Sequence, residues 1–341
     1  MVALHPPQNS APITIIGAGS WGTALAIQFA RVGRTTRLWG RNTIQLEQLQ
    51  SERCNARYLP GVMFPELLQV ETKLQHALSD SSEVLVAAPS HAFRELLLQL
   101  LPLMRPGMRL AWATKGFELH SGKLPHQVVA EVMGAELPVA VLSGPTFASE
   151  VGAGLPTAMT VAATDANFAM DLAKSISGHR FRAYTSTDMV GVEVGGAVKN
   201  VLAIGTAMSD GLGFGANTRI ALITRGLVEM TRLGLALGAQ RETFMGLAGL
   251  GDVVLTCTDN QSRNRRFGLA FAAGKDTAAA QQEIGQVVEG VAASRAVMVV
   301  ATRLQVDMPI CRQVYRILHE GLSPAAAVKE LMSREIKAEV S

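Results

Sequence analysis

Residues 13–24 contain the feature that most constrains the fold: a short apolar run followed at once by closely spaced glycines. The β-branched run 13–16 leads into GAGSWG at residues 17–22, which has the spacing G-x-G-x-x-G, and an apolar helical pattern begins at Ala24. In such a unit the first glycine permits a tight turn, the second lets a pyrophosphate approach, and the third lets helix and strand pack. The helix N-terminus also favours an anion. We therefore predict dinucleotide binding through Gly17, Gly19 and Gly22, with a purely structural turn as the alternative.

The residues after the second predicted strand indicate which dinucleotide is bound. NAD-specific units place a carboxylate there, about 20 residues beyond the glycines, to hold the ribose hydroxyls. Here the strand at residues 35–39 is followed by Gly40, Arg41 and Asn42, so the carboxylate is missing. A guanidinium suits a 2′-phosphate and can stack on adenine. We expect NADPH as the cofactor, contacted by Arg41, with NADH as the alternative; a solvated surface arginine is the other interpretation.

Composition excludes several classes of protein. The chain has 341 residues, of which 48% are hydrophobic and 17% charged, so it can form two domain cores and is not globally disordered. The formal net charge is only +3, and the basic residues are scattered apart from one cluster at residues 263–266. We therefore expect no nucleic-acid partner, and a small anionic substrate is the better use of that cluster.

Cysteine usage and the N-terminus point to a cytoplasmic protein. The cysteines Cys54, Cys257 and Cys311 are odd in number, far apart and without metal-site spacing, so we expect free thiols and no metal. Residues 1–10 lack the basic and apolar regions of a signal peptide. The longest apolar stretch, residues 189–208, contains two charged residues, and we expect no membrane span.

The hydrophobic pattern divides the chain into two parts. Short apolar runs alternate with helical patterns in the first part; the predicted strands are 13–16, 36–39, 83–88, 109–113, 139–142, 157–163 and 181–184. Such alternation predicts a parallel, doubly wound sheet. Helical periodicity dominates afterwards, at 190–208, 218–235, 241–247, 291–304, 310–319 and 324–332. We predict an α/β fold with a Rossmann-type NAD(P)-binding domain over residues 11–187 and an all-helical substrate and catalytic domain over residues 188–341.

Several predicted strands end in polar or glycine-containing segments, which would meet at the carboxyl edge of the sheet, where ligands bind. His91 could act as an acid or base, although a loop histidine without a partner is the interpretation we favour. Lys115 offers a compact cation to a substrate oxygen, with a surface lysine as the alternative. A Gly-Pro turn would present backbone groups of Gly144 and Ala148 and the hydroxyl of Thr146 to the cleft.

Paired glycines mark the first helix of the second part. Gly195 and Gly196 each weaken a helix by roughly 1 kcal/mol relative to alanine, so something must approach the backbone closely. Lys199 lies one turn later on the same face. Loss of hydration would lower its pKa and allow proton exchange near neutral pH. The alternative is a lysine that extends to solvent from a contact between small residues, and the residues alone do not decide between the two.

Two further segments carry candidate polar groups. Asp252 and Thr256 share a face if their segment is helical, although Asp252 could equally be an N-cap. The segment 262–264, Ser-Arg-Asn, places a guanidinium beside two hydrogen-bonding side chains, which suits a phosphomonoester; a solvated basic loop is the alternative.

Taken in order, these segments resemble the NAD(P)-dependent glycerol-3-phosphate dehydrogenases of bacteria. The matching segments are GAGSWGTALA at 17–26, NARYLPG at 55–61, ATKG at 113–116, SGPTFASEV at 143–151, GVEVGGAVKN at 191–200, GLAGLGD at 246–252, SRN at 262–264 and VEG at 288–290. Their order and spacing run from about residue 13 to residue 331, which is far more specific than one glycine fingerprint.

The resemblance implies reversible hydride transfer between a nicotinamide cofactor and C2 of dihydroxyacetone phosphate, giving sn-glycerol 3-phosphate for glycerophospholipid and hence lipid biosynthesis. It implies that Lys199 donates and accepts the proton and that Lys115, Asp252 and Thr256 lie near the reacting centre. The implied substrate-binding residues are Lys115, Gly144, Thr146, Asp252, Ser262, Arg263 and Asn264. Beside the fingerprint glycines, the implied cofactor contacts are Ser20, Trp21, Arg41, Lys115, Ala148, Arg263, Val287 and Glu289.

Most bacterial members prefer NADPH, in agreement with Arg41, and we further expect a cytoplasmic homodimer. Two alternatives stay open. A dehydrogenase of the β-hydroxyacid kind also carries a Lys-Asn pair on the first helix of its second domain, whereas the Ser-Arg-Asn and Gly-Leu-Gly-Asp segments discriminate against it. A non-catalytic NADPH-sensing protein would need neither a proton donor nor a phosphate pocket.

Overall fold

The computed structural model describes residues 11–335, and its first half is built around one mixed sheet. The strands are β1 (Ile13–Ile16), β2 (Thr36–Trp39), β3 (Cys54–Asn55), β4 (Leu59–Met63), β5 (Leu68–Val70), β6 (Glu83–Val86), β7 (Arg109–Trp112), β8 (Val139–Ser143), β9 (Thr157–Ala163) and β10 (Phe181–Ser186). Eight of them form a sheet of order β10-β9-β8-β7-β6-β1-β2-β5, and β3 pairs with β4 alone. The predicted strands are confirmed, whereas β3, β4 and β5 were not predicted.

The sheet is parallel except at one pair. Strands β8 and β9 run antiparallel, with Val141 opposite Ala162. The connection between them contains α6 (Ala148–Ala153), a helix of 6 residues. Such a helix advances only about 9 Å, less than the roughly 17 Å length of a five-residue strand. The chain therefore re-enters the sheet from the same edge. Because β10 pairs parallel with β9, both strands run opposite to the others, and the predicted Rossmann-type fold is confirmed with β9 and β10 reversed.

Helices cover both faces of this sheet. They are α1 (Ser20–Arg31), α2 (Thr43–Glu52), α3 (Leu74–Leu78), α4 (Ser90–Leu100), α5 (Pro125–Met133) and α7 (Ala166–Ile176), with a 3₁₀ turn at Leu101–Leu103. In β6, Leu85 belongs to one core cluster, whereas Val84 and Val86 belong to the cluster on the opposite face. Burial on both faces explains why the strands are continuous apolar runs.

The second half packs around one central helix. Helix α8 (Met189–Gly211) begins after Asp188, whose Oδ1 accepts a hydrogen bond of 2.8 Å from the Gly191 N–H. The other helices are α9 (Ala216–Ala236), α10 (Asp252–Thr258), α11 (Arg263–Ala272), α12 (Thr277–Ile284), α13 (Glu289–Arg303), α14 (Pro309–Glu320) and α15 (Pro324–Met332). Between residues 187 and 335 no strand interrupts them, as the all-helical prediction required.

The segment before α10 differs from its prediction. A helix was expected over residues 241–247, but a 3₁₀ helix at Arg241–Met245 is followed by a π turn at Leu247–Gly251. Gly249 explains the irregular backbone, because a Cβ there would lie 2.2 Å from the Phe244 carbonyl oxygen. The close approach of two chain segments replaces an α-helix at this point.

Helix α8 is long and apolar enough to cross a bilayer, but 89% of its most apolar window is buried inside the protein. Its three charged residues have buried partners: Glu193 accepts from Trp112, Lys199 donates to Asp252, and Asp210 accepts from Arg265. Burial of this kind is typical of the core helix of a globular domain. The three cysteines are free, as predicted.

Candidate active site

A cleft of about 1740 Å³ lies between the carboxyl edge of the sheet and the helical half. Most of the predicted site residues line it, from both halves of the chain: Gly17, Gly19, Ser20, Trp21, Arg41, Lys115, Thr146, Ala148, Lys199, Asp252, Thr256, Ser262, Arg263, Asn264, Val287 and Glu289. Gly22 and Gly144 belong to the same segments but do not line the cleft.

The three fingerprint glycines differ in what surrounds them. A Cβ on Gly17, whose φ is +122°, would lie 2.4 Å from the Ala87 carbonyl oxygen. A Cβ on Gly22 would lie 1.8 Å from the Gly17 carbonyl oxygen, whereas Gly19 has no heavy atom within 4 Å of its Cβ position. Gly17 and Gly22 are therefore required for the fold, because neighbouring backbone atoms occupy the space that a side chain would need. Gly19 instead leaves open space in the cleft beside the N-terminus of α1.

Two amides hold the fingerprint loop against neighbouring segments. Gln45 Nε2 and Asn55 Nδ2 both donate to the Ala18 carbonyl oxygen, at 3.0 and 3.2 Å. Asn55 also donates to Thr23 Oγ1 at 2.8 Å. These bonds bring the segments that carry Arg41 and Arg57 to the fingerprint, and both arginines line the cleft with exposed side chains. Neither Asn55 nor Arg57 was among the predicted site residues, although both lie in the quoted NARYLPG segment.

The floor of the cleft is a cluster of two lysines around one carboxylate. Lys199 of α8 donates from Nζ to Asp252 Oδ1 at 2.5 Å and to Thr256 Oγ1 at 3.1 Å. Lys115, which follows β7, donates from Nζ to Asp252 Oδ2 at 2.7 Å. The N-cap of α10 is Gly251, without a side-chain cap. Asp252 is therefore not an N-cap, since both of its oxygens are taken by ammonium groups.

The paired glycines on α8 leave the room that the segments of this cluster need to pack against the helix. A Cβ on Gly195 would lie 2.3 Å from the Ala248 carbonyl oxygen, and one on Gly196 would lie 3.2 Å from Cγ of Lys115. Larger side chains would push away the segment leading to Asp252 and the side chain of Lys115. The predicted close approach to this helix is thus present, and the approaching groups belong to the same cluster.

Burial and charge set the protonation of the cluster. Burial lowers the pKa of Lys199 to about 8; the Asp252 carboxylate opposes this shift, and the Lys115 ammonium adds to it. Burial raises the pKa of Asp252, but the two ammonium groups outweigh burial, and the net pKa lies below its usual value. Lys199 is only 7% exposed. A buried ammonium with a pKa near neutrality is suited to proton transfer.

The Ser-Arg-Asn segment forms a helix N-terminus rather than a solvated loop. Ser262 caps α11 by accepting from the Arg265 N–H at 3.2 Å. Arg263 is half-buried and lies 3.5 Å from Gln286 Oε1 through Nη1. A guanidinium at a helix N-terminus in a cleft is an arrangement that suits a phosphate.

The other arginines of the basic cluster have different surroundings. Arg265 is buried, pairs with Asp210 at 2.5 Å and donates to the Cys257 carbonyl oxygen at 2.9 Å. Arg266 is exposed and lines the cleft. Arg263 and Arg266 are therefore the members of the cluster that can meet a ligand.

Asn264 and Asn200 connect the helices around the cleft. Asn264 Nδ2 donates to Asn200 Oδ1 at 2.9 Å, and Asn264 Oδ1 accepts from the Gly290 N–H at 2.9 Å. Asn200 Nδ2 donates to Glu289 Oε2 at 3.4 Å. Asn200 was not among the predicted site residues, although it follows Lys199 directly.

The turn after β8 and helix α6 form the opposite wall. Gly144 has a φ of +145° and shapes the turn, and Thr146 Oγ1 donates to its carbonyl oxygen at 3.2 Å. Gln261 Oε1 accepts from Ser149 Oγ at 2.6 Å, and Gln261 Nε2 donates to Glu150 Oε1 at 2.8 Å. These bonds join the two halves of the chain across the cleft, and no local sequence signal singled out Gln261.

Family models match both halves of the chain. The N-terminal model of NAD-dependent glycerol-3-phosphate dehydrogenase matches residues 12–169, and the C-terminal model matches residues 188–329. The chain belongs to the NAD-dependent glycerol-3-phosphate dehydrogenase family. As a member of this family it is an NAD(P)-dependent oxidoreductase, as the resemblance predicted.

Individual glycerol-3-phosphate dehydrogenases are similar over almost their whole length. A glycerol-3-phosphate dehydrogenase [NAD(P)+] of Shewanella halifaxensis is 56% identical over 335 residues, covering 98% of this chain and 99% of the relative. One from Shewanella baltica is 56% identical over 333 residues, covering 97% and 98%. The crystal structure of glycerol-3-phosphate dehydrogenase from Coxiella burnetii matches with a TM-score of 0.92 at 50% identity, covering 95% and 99%.

More distant dehydrogenases share only the fold with this member of the glycerol-3-phosphate dehydrogenase family. D-mandelate dehydrogenase matches with a TM-score of 0.61 at 12% identity, covering 93% of this chain and 99% of that chain. The comparisons therefore support glycerol-3-phosphate dehydrogenase over the β-hydroxyacid and NADPH-sensing alternatives.

Proposed function

We propose that the cleft reduces dihydroxyacetone phosphate to sn-glycerol 3-phosphate, reversibly, with NADPH or NADH. The observation that carries this proposal is the buried Lys199–Asp252–Lys115 cluster, which lies in one cleft with the helix N-terminus that holds Arg263. Besides the hydride that the cofactor supplies, reduction of a phosphorylated ketone requires a proton donor and a phosphate-binding group.

The phosphate end of the substrate is assigned to α11. Arg263 supplies the charge, and Ser262 and Asn264 hold the first turn of the helix in place. Charge-assisted contacts to a phosphate fix a small ketone in position, and positioning supplies much of the rate gain in such reactions. On the opposite wall, Gly144 and Thr146 shape the turn that faces this substrate.

The proton is assigned to Lys199. At neutral pH its ammonium is charged, since its pKa is about 8, and it can donate to the C2 oxygen during reduction. Asp252 and Thr256 hold Nζ in place, and Lys115 shares the carboxylate. We also assign to Lys115 a contact with the substrate and one with the cofactor. In the reverse direction the neutral amine accepts the proton from the C2 hydroxyl.

The cofactor is assigned to the fingerprint side of the cleft. When bound, NADPH supplies the hydride. The open space at Gly19 and the free N–H groups of α1, starting with Ser20 and Trp21, suit its pyrophosphate, and Arg41 suits its 2′-phosphate. The remaining assigned contacts are Gly17, Gly22, Lys115, Ala148, Arg263, Val287 and Glu289.

The organisation of the protein in the cell is part of the same proposal. We divide the chain into a cofactor domain over residues 11–187 and a substrate domain over residues 188–341, and we propose a cytoplasmic homodimer. Light scattering coupled to size-exclusion chromatography tests the dimer, and a monomer mass would reject it.

A substrate comparison tests the reaction. NADPH absorbance should fall on addition of dihydroxyacetone phosphate and stay constant with short 2-keto and 3-keto acids. A preference for the keto acids would reject the proposed substrate, and no turnover with any ketone would favour the NADPH-sensing alternative.

A further inference from the structure

A second buried carboxylate lies on α8, outside the cleft-lining residues. Glu193 is 3% exposed, and its Oε1 accepts from Trp112 Nε1 and from the His126 backbone N–H, both at 3.0 Å. Its Oε2 is hydrogen-bonded to His126 Nδ1 at 2.5 Å. Trp112 ends β7, and His126 is the second residue of α5. One carboxylate of the helical half therefore contacts two elements of the sheet half.

These contacts involve the two elements that carry the lysines of the cleft. Trp112 precedes Lys115 by three residues on the chain leaving β7, and Glu193 precedes Lys199 by six residues on α8. Between them, Gly196 packs on the Lys115 side chain. Glu193 thus joins the helix that bears Lys199 to the strand that leads to Lys115. Along α8, the contact of Gly196 with Lys115 lies between this junction and the contact of Lys199 with Asp252.

Burying a carboxylate costs free energy unless hydrogen bonds or charges compensate for it, and here Trp112 and His126 provide that compensation. Burial raises the pKa of Glu193, although His126 and Trp112 act in the opposite direction. Burial would lower the pKa of His126, but hydrogen bonding and charge from Glu193 outweigh it and raise that pKa. The pair is thus held together by mutual attraction, and truncating Glu193 would leave the Trp112 and His126 donors without their acceptor.

We propose that Glu193 is a positioning residue, whose carboxylate fixes α8 against β7 and α5 and so sets the place of Lys199 relative to Lys115 and Asp252. Glu193 does not itself line the cleft, so it acts through Lys199. This inference rests on the proposed proton-donor role of Lys199, and the experiment below separates the two.

The test compares Glu193→Ala and Glu193→Gln with the wild-type enzyme. Alanine removes the acceptor, and a shift of α8 of the order of 1 Å should lower kcat about tenfold or more while leaving the KM for NADPH unchanged. Glutamine keeps an oxygen for Trp112 and the His126 N–H, so most of kcat should return. His126→Ala, which removes one contact from a partly exposed side chain, should lower kcat by a smaller factor.

The pH profile of kcat separates positioning from general destabilisation. The charged groups facing Lys199 are Asp252 from α10 and Lys115 from the segment after β7, and the one facing Glu193 is His126 from α5. If α8 moves, water reaches Lys199 and its apparent pKa should rise above about 8 in Glu193→Ala. An unchanged profile would contradict the proposal.

Glu229→Ala is the matched control. Glu229 is also a buried carboxylate of the helical half, which accepts from the backbone N–H groups of Ile310 and Cys311 at 2.6 and 3.1 Å, but it does not line the cleft. It should lower the melting temperature without changing kcat or its pH profile. Equal kcat losses in the two alanine variants would overturn the proposal.

The remaining outcomes are also decisive. If Glu193→Ala does not yield folded protein, full activity of His126→Ala with an unchanged pH profile would overturn the inference, and a reduced kcat with a raised apparent pKa would support it. An active Lys199→Ala enzyme would refute the proton donor itself. An inactive Lys199→Ala with wild-type behaviour of Glu193→Ala would refute the positioning role alone.

Discussion

Lys199 Nζ lies 2.5 Å from Oδ1 of Asp252, and the second oxygen of that carboxylate is already taken by Lys115 at 2.7 Å. The single negative charge of Asp252 is therefore shared by the positive charges of Lys199 and Lys115 in a buried part of the cleft. The Lys199 ammonium is bound firmly but is incompletely neutralised, which keeps its proton transferable.

The first prediction concerns pH. Because the pKa of Lys199 is lowered to about 8, the proton-donating form is present below that pH and is lost above it. The kcat for ketone reduction should fall as pH rises through about 8, and the kcat for glycerol 3-phosphate oxidation should rise over the same interval. Initial rates at saturating substrates between pH 6 and 10 measure both limbs.

Substitutions of the two residues that pair in this cluster with Lys199, Asp252 and Lys115, should shift the pH at which kcat changes in opposite directions. Asp252→Asn removes the charge that stabilises the ammonium, so the break in the profile should move to lower pH. Lys115→Ala removes a repelling charge and should move the break to higher pH. Shifts in the same direction would show that the cluster does not control this ionisation.

The second prediction concerns Lys199 itself. Lys199→Ala should lower kcat by about 10²- to 10⁴-fold, the usual contribution of a positioned proton donor. The dissociation constant for NADPH, followed by cofactor fluorescence, should stay near its wild-type value. Lys329→Ala, at an exposed position of α15, is the control and should be fully active. Turnover of Lys199→Ala within a few-fold of wild type would remove the assignment.

The main strands were predictable from the sequence because the protein buries both faces of its sheet. In Glu83–Val86, for example, the three residues Val84, Leu85 and Val86 are apolar and all four residues are buried. The short strands Leu59–Met63 and Leu68–Val70 carry no such signal, since Pro60 and Gly61 interrupt the first and the second has only three residues. Pairing with neighbours, rather than their own pattern, makes them strands.

The helices around the cleft were harder to predict for a related reason. Helix α11 contains three arginines in its first four residues, and the charge of the buried Arg265 is neutralised by Asp210, which is 55 positions away. Likewise, Lys199 and Asp252 are 53 positions apart. Their residue types suggested chemistry, but their contact depends on tertiary packing; the family resemblance, not the local pattern, brought them into one site.

The third prediction concerns the phosphate. Arg263→Ala should raise the KM for dihydroxyacetone phosphate by about 10- to 100-fold, from the loss of roughly 1.5–3 kcal/mol in charge-assisted hydrogen bonds. At saturating NADPH, the kcat/KM for unphosphorylated dihydroxyacetone should change little. Arg312→Ala, exposed on α14, serves as the control and should keep wild-type constants. Equal losses with the two ketones would refute the phosphate contact.

The fourth prediction concerns cofactor choice. Arg41→Ala should weaken NADPH by about 10- to 100-fold, because a guanidinium contact to the 2′-phosphate is lost, and should leave NADH nearly unchanged. Titration with each cofactor gives the ratio. Arg182→Ala, on β10 and outside the cleft-lining residues, should alter neither affinity. Equal weakening of both cofactors would reject a 2′-phosphate contact at Arg41.

The fifth prediction uses two glycines three positions apart in one fingerprint. Gly19 has φ −84° and ψ −174°, extended backbone that any residue adopts, and its Cβ position is open. Gly19→Ala should therefore keep the wild-type melting temperature, yet its methyl group would enter the space assigned to the pyrophosphate and should raise the KM for NADPH about tenfold or more.

Gly22→Ala should behave in the opposite way. Its methyl group would lie 1.8 Å from the Gly17 carbonyl oxygen, a clash that only a backbone shift relieves. Overpacking of this kind costs at least about 1–3 kcal/mol, which calorimetry would detect as a melting temperature lowered by several degrees. Wild-type NADPH binding by Gly19→Ala, with its fold intact, would mean that the pyrophosphate does not approach the second glycine, and the cofactor would then have to lie elsewhere in the cleft.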